Sequence, residues 1–361
     1  MDVGIIGLSQ SGKTSVFNAL TKGAAETTVG GMSEVHIGVT KVPDKRIDVL
    51  SEMYNPKKII HAEIKYFDIP GSNHESKSQG IAGQYRNLVQ GADAFLIVVR
   101  AFDDPSVIHP TNKIDPKDDL STMLNEILFA DLEILDRAVD RLEDSIKKSK
   151  ASERPNVVKQ QEIVKKVKQG LEDGIPLRRQ QLTESEHSFL VNYQLLTGKP
   201  VIVAFNTGET SDPITLQNVD WDYDIDPELG EVSLSAKLES ELALMSDEEE
   251  AEFRRDLGLG ESALTQVIRM TYSTLGLASF LTVGEDEVRA WSIPAGLPAQ
   301  DAAGTIHTDF SRGFIRAEVI PYEDLTRCGS LAQGRKEGVL RSEGKTYPVK
   351  DGDIIHFLIN V

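Results

Sequence analysis

Over the first 115 residues, short apolar runs alternate with stretches of helical period. VGIIGL reads as a buried strand and SGKTSVFNALTKG as the helix behind it. VHIGVTKV and AEIKYFDI have the β-branched and aromatic character of further strands, and ADAFLIVVRAF is apolar without a break, as a strand covered on both faces is. This alternation predicts βαβ units and a mostly parallel sheet. The period then changes. Leu128, Leu132, Leu135, Val139, Leu142 and Ile146 step by four and three, the seam of a coiled coil or long helical hairpin. Ser152-Glu153-Arg154-Pro155 breaks it, and Val164, Val167 and Leu171 offer a return helix.

Strand signals resume at PVIVAFN (200–206) and GEVSLSA (230–236), so the helical stretch reads as an insertion. Ser246 to Glu249 is a capping box, and Leu264 to Leu275 carry one apolar helical face. From Leu277 onward SFLTV, VRAWSI, FIRAEVI and GDIIHFLINV are again β-like, with one short helix near Ala299–Ala303. These shifts predict a first domain of residues 1–115 plus 197–277, a helical insert of 116–196, and a small sheet around a helix at 278–361.

Composition narrows the class. With 361 residues, 40% hydrophobic and 27% charged, the chain has the profile of a globular protein of two or three domains. No apolar run reaches the ~20 residues that cross a bilayer, and no basic, apolar leader precedes the first strand, so neither a membrane nor a signal peptide is expected. Its single cysteine, Cys328, permits no internal disulfide and fits a reducing cytoplasm. A net charge of −18 argues against broad nucleic-acid binding, though not against a local basic face.

The chemistry enters at residues 7–14, GLSQSGKT, which match G-x-x-x-x-G-K-[ST] in the required strand–loop–helix setting. A phosphate needs converging N–H donors. Gly7 and Gly12 let the main chain of Ser9, Gln10, Ser11 and Ser15 close around it, Lys13 reaches the β- and γ-phosphates, and the Thr14 hydroxyl suits a Mg²⁺ ion. Asp68 and Gly71 form D-x-x-G at a strand end, where the carboxylate holds Mg²⁺ through water and the glycine N–H senses the γ-phosphate. Asn206 and Glu209 lie just past a buried strand, where a base is read, and Ser235-Ala236-Lys237 follows the last strand, its backbone N–H aimed at the purine six-position.

Together these features resemble the YchF subfamily of Obg-type P-loop NTPases. VVRAFDDPSVIH and IDPKDDLSTMLNEILFADLEIL are similar to that family at the start of its arm, and EVRAWSIPAG, AAGTIHTDF, GFIRAEVIPYEDL and EGKTYPVKDGDIIHFLINV resemble its C-terminal TGS domain. The resemblance implies an α/β P-loop NTPase domain with an inserted antiparallel α-helical arm and a β-grasp (ubiquitin-like) TGS domain. It also implies a Mg²⁺-dependent, cytoplasmic, ribosome-associated regulator of translation or stress. RNA is a further partner expected through the TGS domain and arm, and the chain is expected to be a monomer.

Guanine-specific relatives use N-K-x-D. Here Thr207 replaces Lys and Glu209 is one methylene longer than Asp, which favours ATP over GTP, while the intact Ser235-Ala236-Lys237 keeps GTP open. Ser72-Asn73 stands where switch GTPases carry a water-orienting Gln, with His74 close by. The stretch TTVGGMSEVHIG is short and Gly-rich at Gly30-Gly31, where relatives place a Mg²⁺-binding Thr; Thr27, Thr28 and Ser33 are the candidates. Slow turnover follows, on the order of 10⁻⁴ to 10⁻² per second. Two other readings remain at this level: a nucleotide sensor without meaningful hydrolysis, and a scaffold. For the scaffold, Arg312, Arg316, Arg335, Lys336, Arg341 and Lys345 would form a basic face on the tail, against the plainer reading of scattered solvated charge. Trp291 is read as core packing, His307 as a buried hydrogen bond, and Cys328 as a residue of a polar loop.

Overall fold

A computed structural model of the protein describes residues 1–22, 26–28 (backbone alone), 35–70, 85–209, 211–222 and 229–360. Two units emerge: Met1–Val39 with Lys65–Met270, and Thr40–Ile64 with Thr271–Val361.

The first unit starts with β1 (Asp2–Ile6) and α1 (Lys13–Leu20), then β2 (Glu26–Thr28) and β3 (Val35–Lys41). After an excursion through α2 (Lys45–Tyr54) and β4 (Lys58–Ile60) come β5 (Glu63–Asp68), α3 (Arg86–Gly91) and β6 (Ala94–Ala101). The arm is α4 (Pro116–Lys148) and α5 (Arg154–Glu172), followed by α6 (Glu184–Leu190); β7 (Val201–Thr207), β8 (Gly230–Leu234), α7 (Ala236–Leu242), α8 (Asp247–Asp256) and α9 (Ala263–Thr274) complete the run. The sheet order is β2-β3-β5-β1-β6-β7-β8. β1 lies parallel to β5 and β6, and β7 and β8 continue in parallel, while β2 is antiparallel to β3. The carboxyl ends of β1, β5, β6 and β7 therefore share one edge, where open α/β sheets bind ligands.

The arm forms where the heptad pattern predicts it. Asp115 caps α4 through the Asp118 amide, and Pro116 occupies the first turn, where its missing N–H costs nothing. At 33 residues α4 is about 50 Å long. Its root, Leu120, Met123 and Ile127, joins the main core with Ile97 and Phe205, whereas Ile134, Leu135 and Ala138 pack with Ile163, Val164, Val167 and Leu171 of the arm itself. Two buried carboxylates fix the root. Asp119 meets His109 Nε2 at 2.9 Å; Asp131 accepts from the Leu196 and Thr197 amides (both 2.7 Å) and the Thr197 hydroxyl (2.6 Å).

The second unit adds β9 (Leu277–Val283), β10 (Glu287–Pro294), α10 (Ala299–Ile306), α11 (Thr308–Arg312), β11 (Phe314–Pro321), α12 (Tyr322–Cys328), α13 (Leu331–Lys336), β12 (Arg341–Glu343) and β13 (Asp353–Ile359). Its strands run β12-β11-β13-β9-β10-β4. On one face α10 packs Ala299, Ala302 and Ala303 against Phe280, Phe314 and Phe357, the helix-on-sheet layering of a β-grasp domain. The other face takes Ile47 and Leu50 of α2 against Leu281, Val288 and Ile320.

Several expectations change. Residues 40–64 lie in the second unit, because β4 pairs in parallel with Glu287–Arg289 of β10 and α2 buries its apolar face there. Four helices, α10 to α13, accompany the tail strands where only the first, α10, was expected. Cys328 closes α12, its thiol against Glu337 (3.2 Å), rather than sitting in a loop. His307 is exposed and caps α11 through the Asp309 amide, so its hydrogen bond is not buried. Trp291 does pack, stacking on Phe280, with its indole N–H on Thr282 Oγ1. Arg335 pairs with Glu318 and Arg341 lies 3.6 Å from Glu343, which favours scattered charge over a basic tail face.

Candidate nucleotide site

The loop between β1 and α1 is held in a shape few residues adopt. Gly12 has φ 94°, and a Cβ there would lie 2.1 Å from Asn206 Nδ2; a Cβ at Gly7 would lie 2.4 Å from the Val98 carbonyl. Gln10 also has positive φ, 62°. Glycine is required at Gly7 and Gly12 because neighbouring strands press against the loop. α1 begins at Lys13, and no side chain among the described residues caps its amino end, so its first N–H groups remain available to an anion.

Lys13 is buried, and its ammonium donates to the Gly7 carbonyl (3.0 Å) and the Leu8 carbonyl (2.7 Å). Burial pulls its pKa down to about 8, against the raising influence of Asp68. The ammonium is thus folded over the loop, where a phosphate can replace two carbonyls as its partner.

Thr14 donates its hydroxyl to Asp68 Oδ2 at 2.7 Å, joining the phosphate loop to the end of β5. Asp68 is buried, and among the described residues its other oxygen, Oδ1, has no hydrogen-bond partner. A buried carboxylate oxygen without a donor is costly, and a hydroxyl beside it completes a hard oxygen pair of the kind Mg²⁺ takes. The donor set fits that ion. His36, on β3, brings Nδ1 to 3.5 Å from Asp68 Oδ2, with its ring 6.0 Å from that of Phe17. Pattern reading missed His36 because it lies within an alternating strand and matches no motif.

Asn206 joins three separate stretches of chain. Its Nδ2 donates to the Ser11 carbonyl (3.0 Å) and its Oδ1 accepts from the Ala236 amide (2.9 Å). Of the Ser235-Ala236-Lys237 stretch expected to offer a backbone N–H to a purine, the Ala236 N–H is taken by Asn206. Ser235 caps α7 through the Leu238 amide (3.4 Å). Glu209 Oε1 pairs with Lys237 Nζ at 2.6 Å, both side chains at the surface. The Thr207 hydroxyl is turned inward onto the Leu234 carbonyl (3.3 Å). Arg100, also unmarked by any motif, is buried at the end of β6 and donates to the carbonyls of Phe102, Asp104 and Val107, fixing the neighbouring loop.

Thus Gly7, Ser9, Gln10, Ser11, Gly12, Lys13, Thr14, Ser15 and Asp68 belong to one end of the sheet, with Asn206, Glu209, Ser235, Ala236 and Lys237 beside them. Gly71, Ser72, Asn73 and His74 lie outside the described residues, as do Gly30, Gly31 and Ser33 and the side chains of Thr27 and Thr28.

A parallel sheet with this loop, lysine and carboxylate at its carboxyl edge defines a P-loop nucleotide-binding protein. The family model described as 50S ribosome-binding GTPase matches residues 2–135, and that of the YchF-type GTPase C-terminal family, described as a protein of unknown function (DUF933), matches 277–360. The chain is 38% identical to the ribosome-binding ATPase YchF of Bacillus subtilis over the full length of both, and 37% identical to that of Escherichia coli O157:H7 over 99% of each. The solved structure of the Schizosaccharomyces pombe YchF GTPase superposes with a TM-score of 0.86 at 31% identity, covering 99% of this chain and 97% of that one. The chain belongs to the YchF family of P-loop NTPases.

Proposed function

We propose that the protein is a cytoplasmic, ribosome-associated ATPase that hydrolyses ATP slowly with Mg²⁺. The observation that carries this is the buried Lys13 folded over a glycine loop next to the Thr14–Asp68 pair. Lys13 and the first amides of α1 bind the β- and γ-phosphates. Thr14 and Asp68 would hold Mg²⁺, Asp68 through water; bound there, the ion neutralises charge that develops on the phosphate oxygens. Gly71 retains its role as the γ-phosphate sensor in this reading.

Asn206 supports the site by tying the phosphate loop to Ser235-Ala236. Preference for ATP rests on Glu209 and Thr207. Glu209 is drawn to Lys237, so it does not offer the free two-pronged carboxylate that guanine's N1–H and amine require, and Thr207 points inward. The relatives named above are described as ribosome-binding ATPases, which supports the ribosome as partner. No helix among the described residues is long and apolar enough to cross a membrane.

Phosphate release by purified protein with ATP and with GTP, using Lys13→Ala as blank, tests the activity, and pelleting with ribosomes tests the partner. Wild-type release at the blank's level removes the enzymatic claim, and failure to pellet with ribosomes removes the second.

A further inference from the structure

A boundary between compact units usually falls in a loose linker. Here the chain crosses inside regular elements: β3 between Val39 and Thr40, β5 between Ile64 and Lys65, and α9 between Met270 and Thr271. β3 and β5 are neighbours in the first sheet, and just beyond it the Val42 amide donates to the Ala62 carbonyl at 2.8 Å. The same two strands carry His36 and Asp68, whose side chains lie 3.5 Å apart. The Thr14 hydroxyl donates to that same Asp68 oxygen.

Residues 40–64, between these strands, are pinned to the tail sheet at both ends. At the first, Asp44 caps α2 through the Arg46 amide (3.0 Å) and grips the Arg46 guanidinium at 2.8 Å. Arg46 Nη1 also reaches Asp351 Oδ2 at 2.7 Å, and Asp351 accepts from the Ser279 amide of β9 at 2.8 Å. Forked pairing of this kind fixes geometry as well as charge. At the second end, the Lys57 and Lys58 amides donate to the Glu285 and Asp286 carbonyls (both 3.1 Å), and Ala62 is buried with Leu281, Val288 and Ile320. From Ala62 to Asp68 is six residues, about 20 Å of extended chain, with Ile64 and Tyr66 fully buried along it.

We propose that residues 40–64 couple the Asp68 end of the phosphate site to the tail sheet. What fixes Asp68 tightens α2, β4 and β10, and what loosens the Arg46 anchor loosens β5 and the phosphate loop. The inference rests on the nucleotide reading above for the ligand that fixes Asp68, and it makes the tail sheet a regulator of that site. By linkage, whatever binds at one end changes affinity at the other by the same factor. Arg46 is a positioning residue in this scheme, acting on the site only through β5.

Amide exchange of the full-length protein, read by mass spectrometry, tests the link in both directions. Without nucleotide, Arg46→Met should exchange faster than wild type in β5 and at residues 8–14 as well as in α2. Asp351→Asn should be intermediate and Arg46→Lys nearest to wild type. Ala303→Gly is the control, since it loosens α10 on the opposite face of the tail sheet from α2; it should leave β5 and residues 8–14 unchanged. Magnesium with the non-hydrolysable analogue adenylyl imidodiphosphate should slow exchange in α2, β4 and β10 of the wild type. That remote protection should vanish in Arg46→Met while protection of residues 8–14 remains. Calorimetry with the same analogue should show Arg46→Met weakened about fivefold, the low end of usual couplings. Unchanged β5 exchange in Arg46→Met, or an equal change in Ala303→Gly, overturns the inference, as does bound analogue that protects residues 8–14 but not α2. A wild type that takes up no nucleotide overturns the nucleotide reading alone, because the nucleotide-free comparison still decides the link. Should Arg46→Met fail to fold in a circular-dichroism melt, Asp351→Asn against Arg46→Lys carries the same comparison.

Discussion

Asn206→Ala removes the clamp between the phosphate loop and the Ser235-Ala236 turn. The Ser11 carbonyl and the Ala236 amide lose their partner in a buried setting, at about 1–3 kcal/mol each. A total loss of about 2–6 kcal/mol is a large share of a typical stability and should lower the unfolding midpoint by about 5–20 °C. Gly12→Ala has two separate costs. Its Cβ would meet Asn206 Nδ2 at 2.1 Å, and that amide cannot move aside without breaking both of its bonds. A left-handed backbone with a side chain adds about 1–2 kcal/mol. In the double variant the clash has no partner and only the backbone cost remains. The two changes should therefore couple, with the double variant at least about 1 kcal/mol more stable than the sum predicts. Urea unfolding of the four proteins, with fluorescent ATP binding alongside, measures this. Additivity within about 0.5 kcal/mol would refute the clamp.

Nucleotide affinity should depend on pH through Lys13. Unliganded, its pKa lies near 8; a bound triphosphate raises it. Affinity should hold below pH 8 and fall above it, by about tenfold at pH 9, while Lys13→Arg flattens the profile in calorimetric titrations. The sign for stability is opposite: an unfolded lysine holds its proton to higher pH, so the unliganded protein should gain stability from pH 8 toward 10.5. His36→Ala should weaken Mn²⁺ binding, used as a spectroscopic stand-in for Mg²⁺, by a few-fold through looser placement of Asp68, with His36→Asn retaining more; paramagnetic relaxation of water protons reports it. Asp131→Ala strips three buried donors of their acceptor and should destabilise the arm's root by about 3–5 kcal/mol, seen as early amide exchange in α4 and at Leu196–Thr197.

The elements most visible in the sequence are those whose periodicity reports burial directly. The apolar runs of β6 and β7 and the heptad seam of α4 have this property, because each places its apolar positions against one neighbour. The excursion 40–64 did not, since the strand Lys58–Ile60 is three residues long and its partner lies more than 220 residues away; no local pattern encodes such pairing. Within the site, Gly7, Lys13 and Thr14 are legible because the loop motif between a strand and a helix fixes their spacing. His36, Arg100 and the double role of Asn206 are not, because each acts through neighbours distant in sequence: Asp68, the 102–107 carbonyls, and Ser11 with Ala236.

The central claim is that one glycine loop and one buried lysine bind a purine triphosphate. Calorimetry with Mg·ATP against wild type and Lys13→Ala tests it most directly. The account predicts saturable heat with a single site for the wild type, tighter than for Mg·GTP, and its loss in Lys13→Ala. Equal heats for the two proteins, or none from the wild type at millimolar nucleotide, would contradict it.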